Sequence, residues 1–295
     1  MPITKANGID LFYETVGDVN DPTLLLVHGF TAQIVSWEEG FVRALADRGF
    51  HVVTYDNRDV GHSTHFDGVH VNLRSVAAAV RAGEDAGALV PYTLSDMGAD
   101  GVALLDVVGA ERAHVAGVSM GGMIAQTIAI EHPDRTRSLA SIMSTTGELA
   151  YGRATDEANA AILSAPAAER EAYIAQSLEH WKIWASRYHG GAEALTERLG
   201  RQYDRMFYPE GATRQLGAII ASGERSKGLS ALEMPTVVIH GRQDTLIQPS
   251  GGERTAELVP GSRLLMLDGM GHDLPAPLWP AIIDAIVANA ERSAA

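Results

Sequence analysis

Residues 113–132 read AHVAGVSMGGMIAQTIAIEH. An apolar run of strand type, Ala113–Val118, passes with no linker into a helical pattern over Met120–His132. The junction is Gly117-Val118-Ser119-Met120-Gly121, a G-x-S-x-G, and Gly122 follows it. So tight a turn forces the serine into a strained backbone conformation. Side chains at 117 or 121 would strike neighbouring backbone, which is why glycine stands there. The turn lifts the Ser119 hydroxyl clear of a sheet and aims helix N-terminal N–H groups at the reacting centre. A Gly-rich strand–helix turn without chemistry is the alternative. The position between strand and helix favours a nucleophile.

Around this junction, short β-rich runs alternate with longer helical patterns. Ile9–Thr15 alternates apolar and polar residues, as an edge or antiparallel strand does. Thr23–Val27 is continuously apolar, like a strand buried on both faces, and His51–Tyr55 is another strand. Ile34–Arg48 has helical spacing, with Trp37, Phe41 and Leu45 on one face. Leu94–Val108 reads as a helix stopped by Gly109, and Ser138–Met143, Thr236–His240 and Arg263–Leu267 as strands; Pro280–Ala290 is the last helix. This alternation predicts an α/β fold with a mostly parallel central sheet and helices on both faces. Residues 147–228 break it with helical patterns and no convincing strand. They read as a helical cap, with 1–146 and 229–295 as the core. The Ala- and Gly-rich stretch 67–92 is either a small helical excursion or a loop.

Two further loops supply partners for the serine. Gly269-Met270-Gly271-His272 follows the last strand, and its glycines let a loop carry an imidazole over a distant site. His272 is the candidate general base. Val237–His240 ends in Gly241, and Asp244 stands just beyond. From there Asp244 can orient His272 and stabilise its imidazolium. The chain order Ser119, Asp244, His272 supports both assignments. Glu148 is the runner-up acid, and Asp268 lies too close to His272 in sequence to face it freely. The early strand ends in Val27-His28-Gly29-Phe30. An oxyanion hole needs two convergent backbone N–H groups. Met120 and Phe30 are the candidates, while His28 reads as a structural histidine bonding loop backbone.

Composition narrows the remaining classes. Apolar residues make up 46% of the 295-residue chain, enough to bury a sizeable core. Lys plus Arg is 23 against 37 Asp plus Glu, a formal charge of −14, which disfavours nucleic acid and anionic membranes. Cysteine is absent, so disulfides and thiolate metal sites are excluded. His62 and His65 are three apart but lack evident third and fourth ligands for a metal. The N-terminus lacks a secretory pattern and no segment is apolar enough to cross a membrane, so a cytoplasmic location is expected. Asp56 and Arg58 are expected to pair and hold their loop.

The segments YDNRDVGHST, AHVAGVSMGG and GMGH together resemble the α/β-hydrolase superfamily over essentially the whole chain. More narrowly they look like the aclacinomycin methylesterase group and its esterase-like relatives. The resemblance implies a serine hydrolase of small-molecule esters, with no metal and no organic cofactor. It assigns nucleophile, acid and base to Ser119, Asp244 and His272. Haloalkane dehalogenases and epoxide hydrolases carry an aspartate at the elbow, where this chain has Ser119. A lactonase, a carbon–carbon bond hydrolase, a perhydrolase or a silent ligand-binding protein are the alternatives.

Substrate does not carry across, because specificity resides in the cap. There Trp181, Trp184 and Tyr188 fall at i, i+3 and i+7 on one helix face, with Tyr203, Phe207 and Tyr208 further on. They either pack the cap on the core or line a pocket for a hydrophobic, uncharged ester.

Overall fold

A computed structural model describes residues 3–188 and 191–293. Its centre is an eight-stranded sheet: β1 (Ile3–Ala6), β2 (Ile9–Val16), β3 (Thr23–Val27), β4 (His51–Tyr55), β5 (Ala113–Val118), β6 (Thr136–Ile142), β7 (Thr236–Gly241) and β8 (Arg263–Leu267). The order across the sheet is β1-β2-β4-β3-β5-β6-β7-β8. The first two strands pair antiparallel, β2 runs antiparallel to β4, and every later pairing is parallel. Sequence reading missed β1. It is joined to β2 through Asn7-Gly8, both at positive φ, the backbone a tight two-residue hairpin demands.

The helices are α1 (Glu39–Ala46), α2 (Leu73–Ala82), α3 (Leu94–Val107), α4 (Met120–Glu131), α5 (Asp156–Ile162), α6 (Arg170–Trp184), α7 (Ala192–Arg205), α8 (Glu210–Ala221), α9 (Ser226–Leu229), α10 (Ser250–Leu258) and α11 (Trp279–Glu291). Strand alternation sorts the core into two layers. Leu25, Val27, Val53, Val115 and Leu139 pack under α3 and α4. Leu24, Leu26, Val52, Ala116 and Ala140 face α1 and α11. Strands buried on both faces explain the continuous apolar runs. Among the described residues, 143–235 hold α5–α9 and no strand.

Two expectations change, and one open alternative is decided. The helix expected over Ile34–Arg48 is split into a single tight turn, Ile34–Ser36, and α1, because Trp37 and Glu38 are extended. The 67–92 stretch contains α2, capped by the Asn72 side chain at its start and by left-handed Gly83 at its end. Asp56 and Arg58 do not pair. Asp56 turns inward to accept from the backbone of Ile34 and His62 and to bind Arg205 at 2.7 Å. Arg58 points the other way, with its Nε 2.7 Å from an oxygen of Asp100 on α3. The tight bend at Gly61, where a Cβ would lie 2.1 Å from the Asp56 carboxylate, holds that group inside the loop.

Candidate active site

Ser119 follows β5 directly and opens α4. Its φ is 56°, a left-handed value that an L-residue adopts only when the surroundings enforce it. The enforcement is steric and hydrogen-bonded. A Cβ on Gly117 would lie 2.0 Å from the Gly121 carbonyl oxygen, and one on Gly121 would lie 2.1 Å from that of Val27. The Ser119 N–H donates to the Ile142 carbonyl, and the Ser144 hydroxyl donates to the Ser119 carbonyl.

The carboxyl ends of three parallel strands bring the remaining groups together, where open α/β sheets place their ligands. The Ser119 Oγ lies 2.9 Å from His272 Nε2, and His272 Nδ1 lies 2.7 Å from Asp244 Oδ2. Asp244 is 3% exposed. Its other oxygen accepts the backbone N–H groups of Leu246 and Ile247. Burial pushes this carboxyl up, but His272 and then His240 outweigh it and hold the group down at about 2. It is therefore ionised wherever the chain is folded near neutral pH. A hydroxyl on an imidazole, oriented in turn by a buried carboxylate, can surrender its proton on attacking a carbonyl carbon.

Neither alternative acid reaches His272. Glu148 binds Arg254 on α10, which holds its carboxyl below the usual range, and Asp268 binds Arg242 at 3.1 Å. His28 holds its own loop: its Nδ1 accepts the Gly29 N–H at 2.7 Å and its ring packs on Trp37. That loop abuts the serine, since a Cβ on Gly29 would lie 3.2 Å from the Ser119 Cβ. The N–H groups of Phe30 and Met120 have no protein acceptor among the described residues.

The glycines of the histidine loop have a reason that sequence reading missed. The segment after α6 lies directly on them. A Cβ on Gly271 would sit 2.1 Å from the Trp184 carbonyl oxygen. The Arg187 N–H donates to the Gly269 carbonyl, and Asp273 accepts from both the N–H and the hydroxyl of Ser186.

A cavity of about 330 Å³ opens onto Ser119 and His272. Trp181 and Trp184 line it, but Tyr188, Tyr203 and Phe207 do not. Tyr188 lies beyond the end of α6, because Asp273 captures Ser186 and breaks the helix; its ring packs under the Arg187 guanidinium. Tyr203 and Phe207 stack on each other and meet Tyr173 tilted and edge-on, and Tyr173 reaches the cavity in their place. Phe41 and Trp279, on the core side, complete the apolar wall. Arg198 also enters the cavity, paired with Glu38 at 3.0 Å and lying over the Trp181 ring.

The two loop histidines are taken up by aromatic packing. His62 meets Phe12 edge-on and His65 stacks on Tyr208. Among the described residues no group of three or more His, Cys, Asp or Glu side chains could hold a metal. Among the same residues no helix is long and apolar enough to cross a membrane.

The α/β-hydrolase fold model matches residues 22–275. The chain belongs to that family. Among curated proteins, this hydrolase is 26% identical to a rhodomycin D methylesterase of a Streptomyces species, over 97% of this chain and 96% of the relative. It is 24% identical to the rhodomycin D methylesterase of Streptomyces peucetius, over 95% of each chain. An enol-lactonase from Burkholderia xenovorans superposes with a TM-score of 0.72 at 19% identity, over 98% of this chain and 99% of that one. That last likeness is one of fold.

Proposed function

We propose that this α/β hydrolase is a carboxylic-ester hydrolase working through an acyl-enzyme. The supporting observation is the continuous relay from Ser119 Oγ through His272 to buried Asp244, at 2.9 and 2.7 Å. In this reading His272 removes the Ser119 proton as the oxygen attacks the ester carbonyl. The backbone N–H groups of Phe30 and Met120 receive the charge that develops on the substrate oxygen. The imidazolium returns its proton to the departing alcohol. Water, activated by the same nitrogen, then releases the acid.

The wall formed by Trp181, Trp184, Phe41 and Trp279 supports an apolar, uncharged ester. The two Streptomyces relatives are methylesterases, which brings methyl esters to the front of the substrates worth testing.

A panel of uncharged aryl and methyl esters, assayed with the purified chain, tests the proposal. Uncharged esters should turn over, those with apolar acyl or alcohol groups fastest. Turnover of amides or epoxides with none of esters would overturn it.

A further inference from the structure

The oxyanion arm of the site is held in part from outside its own loop. Thr31, the residue after Phe30, has φ 56°, and for a β-branched residue this is an unfavourable conformation that something else must maintain. Its N–H is bound not by the loop but by a side chain 184 positions away: Gln215 Oε1 accepts it at 2.9 Å. Gln215 lies on α8, is 0% exposed, and its amide Nε2 donates to the Arg58 carbonyl at 2.9 Å. Both ends of that amide are thus tied, which sets its orientation. The helix beneath it is fixed as well. A Cβ on Gly211 would lie 2.2 Å from the Asp59 carbonyl oxygen, and Arg214 forms a buried pair with Asp59. On the other side of Phe30, the Asn57 amide donates to the His28 carbonyl. The Phe30 N–H therefore sits between two fixed points, one supplied by the core and one by a helix of the segment above it.

We infer that Gln215 is a positioning residue for the Phe30 N–H, aiming it at the oxygen that becomes negative during ester hydrolysis. This rests on the reading of the chain as a serine esterase. An N–H donor contributes to rate only when it meets the transition-state oxygen, so loss of its aim appears in kcat rather than in substrate binding. The strained Thr31 backbone would relax once its acceptor is gone, and Phe30 would move with it.

The test compares the parent with Gln215→Met, which keeps the volume and removes both hydrogen bonds, and with Gln215→Glu, which keeps an acceptor for Thr31. Gln215→Met should lower kcat roughly ten- to a hundredfold with KM nearly unchanged. Its affinity for a trifluoromethyl ketone, which forms a tetrahedral oxyanion on the serine, should fall by about the same factor as kcat/KM. Gln215→Glu should recover part of both losses. If Gln215→Met lowers the melting temperature but keeps parental kcat and ketone affinity at a temperature where it is folded, Gln215 is merely structural and the inference is overturned. If the parent itself neither hydrolyses esters nor binds the ketone, the esterase reading fails and takes the inference with it.

Discussion

The backbone N–H of His272 donates to the backbone carbonyl of Trp184 at 2.6 Å. Trp184 lines the cavity and His272 is the proposed base, so the cavity wall and the proposed base share one contact. The Asp273 carboxylate closes the same contact by accepting from the N–H and the hydroxyl of Ser186. Burial pushes the Asp273 carboxyl up, against the pull of the Ser186 hydrogen bonds.

This contact makes Gly271 sensitive. Gly271→Ala places a methyl 2.1 Å from the Trp184 oxygen, and backbone must shift to admit it. Stability should fall by about 1–3 kcal/mol, as for other forced insertions into packed sites. The loop should also carry His272 off its line to Ser119 and lower kcat/KM by roughly a hundredfold. Thermal unfolding and steady-state kinetics on one preparation check both; parental values would show that the loop has room to spare.

The acid is tested by a pair of variants. Asp244→Asn should reduce kcat by about 10²- to 10⁴-fold, since an amide no longer selects the tautomer with the proton on Nδ1. Glu148→Gln, which breaks a contact with Arg254, should leave kcat within a fewfold of the parent. The reverse ranking would move the acid to Glu148.

The elbow and the alternating layers were legible because each is local. Gly117 to Gly122 declare a turn whatever surrounds them, and the strands carry burial in their own residues. The pocket was not legible. Helical spacing put Tyr188 beside Trp181 and Trp184, but α6 stops at Trp184 because Asp273, on another loop, takes Ser186. Adjacency likewise suggested pairing Asp56 with Arg58, whereas their partners lie 149 and 42 positions away. Tyr173 and Arg198 gave no signal beyond ordinary helix residues. The doubly glycine-bearing α10 gave none either.

The corrected pocket has its own consequence. Trp181→Ala should raise KM for an apolar ester by about tenfold or more, the value of a lost aromatic contact. Tyr203→Ala should leave KM within about twofold, because that ring packs on Tyr173 and Phe207 outside the cavity. Equal KM effects would put Tyr203 back in the pocket.

Stability should depend on pH through two rings. Burial, then Arg198, holds the His28 imidazole down at about 3, and burial, then Arg137 and Arg112, holds His114 at about 4. Unfolded, a histidine titrates near about 6.5, so the unfolded chain binds these protons first. Stability is therefore lost as pH falls from about 6.5 toward the folded values, by up to about 1.4 kcal/mol per unit for each ring. Asp244 adds a loss of the same sense only below 3.8. Urea unfolding of the parent and His114→Asn from about pH 7 to 4.5 should give a shallower slope for the variant. Parallel slopes would show that His114 is not buried neutral.

In the proposed mechanism Ser119 is the nucleophile. Incubating the chain with a fluorophosphonate and mapping the adduct by peptide mass spectrometry, with ester turnover followed on the same sample, tests it most directly. One adduct should form, on the peptide bearing Ser119, and turnover should vanish in step with it. Ser119→Ala should take no label, keep its fold, and lose roughly 10³-fold or more of kcat. An adduct on another residue, or a Ser119→Ala variant within about tenfold of parental kcat, would contradict the account.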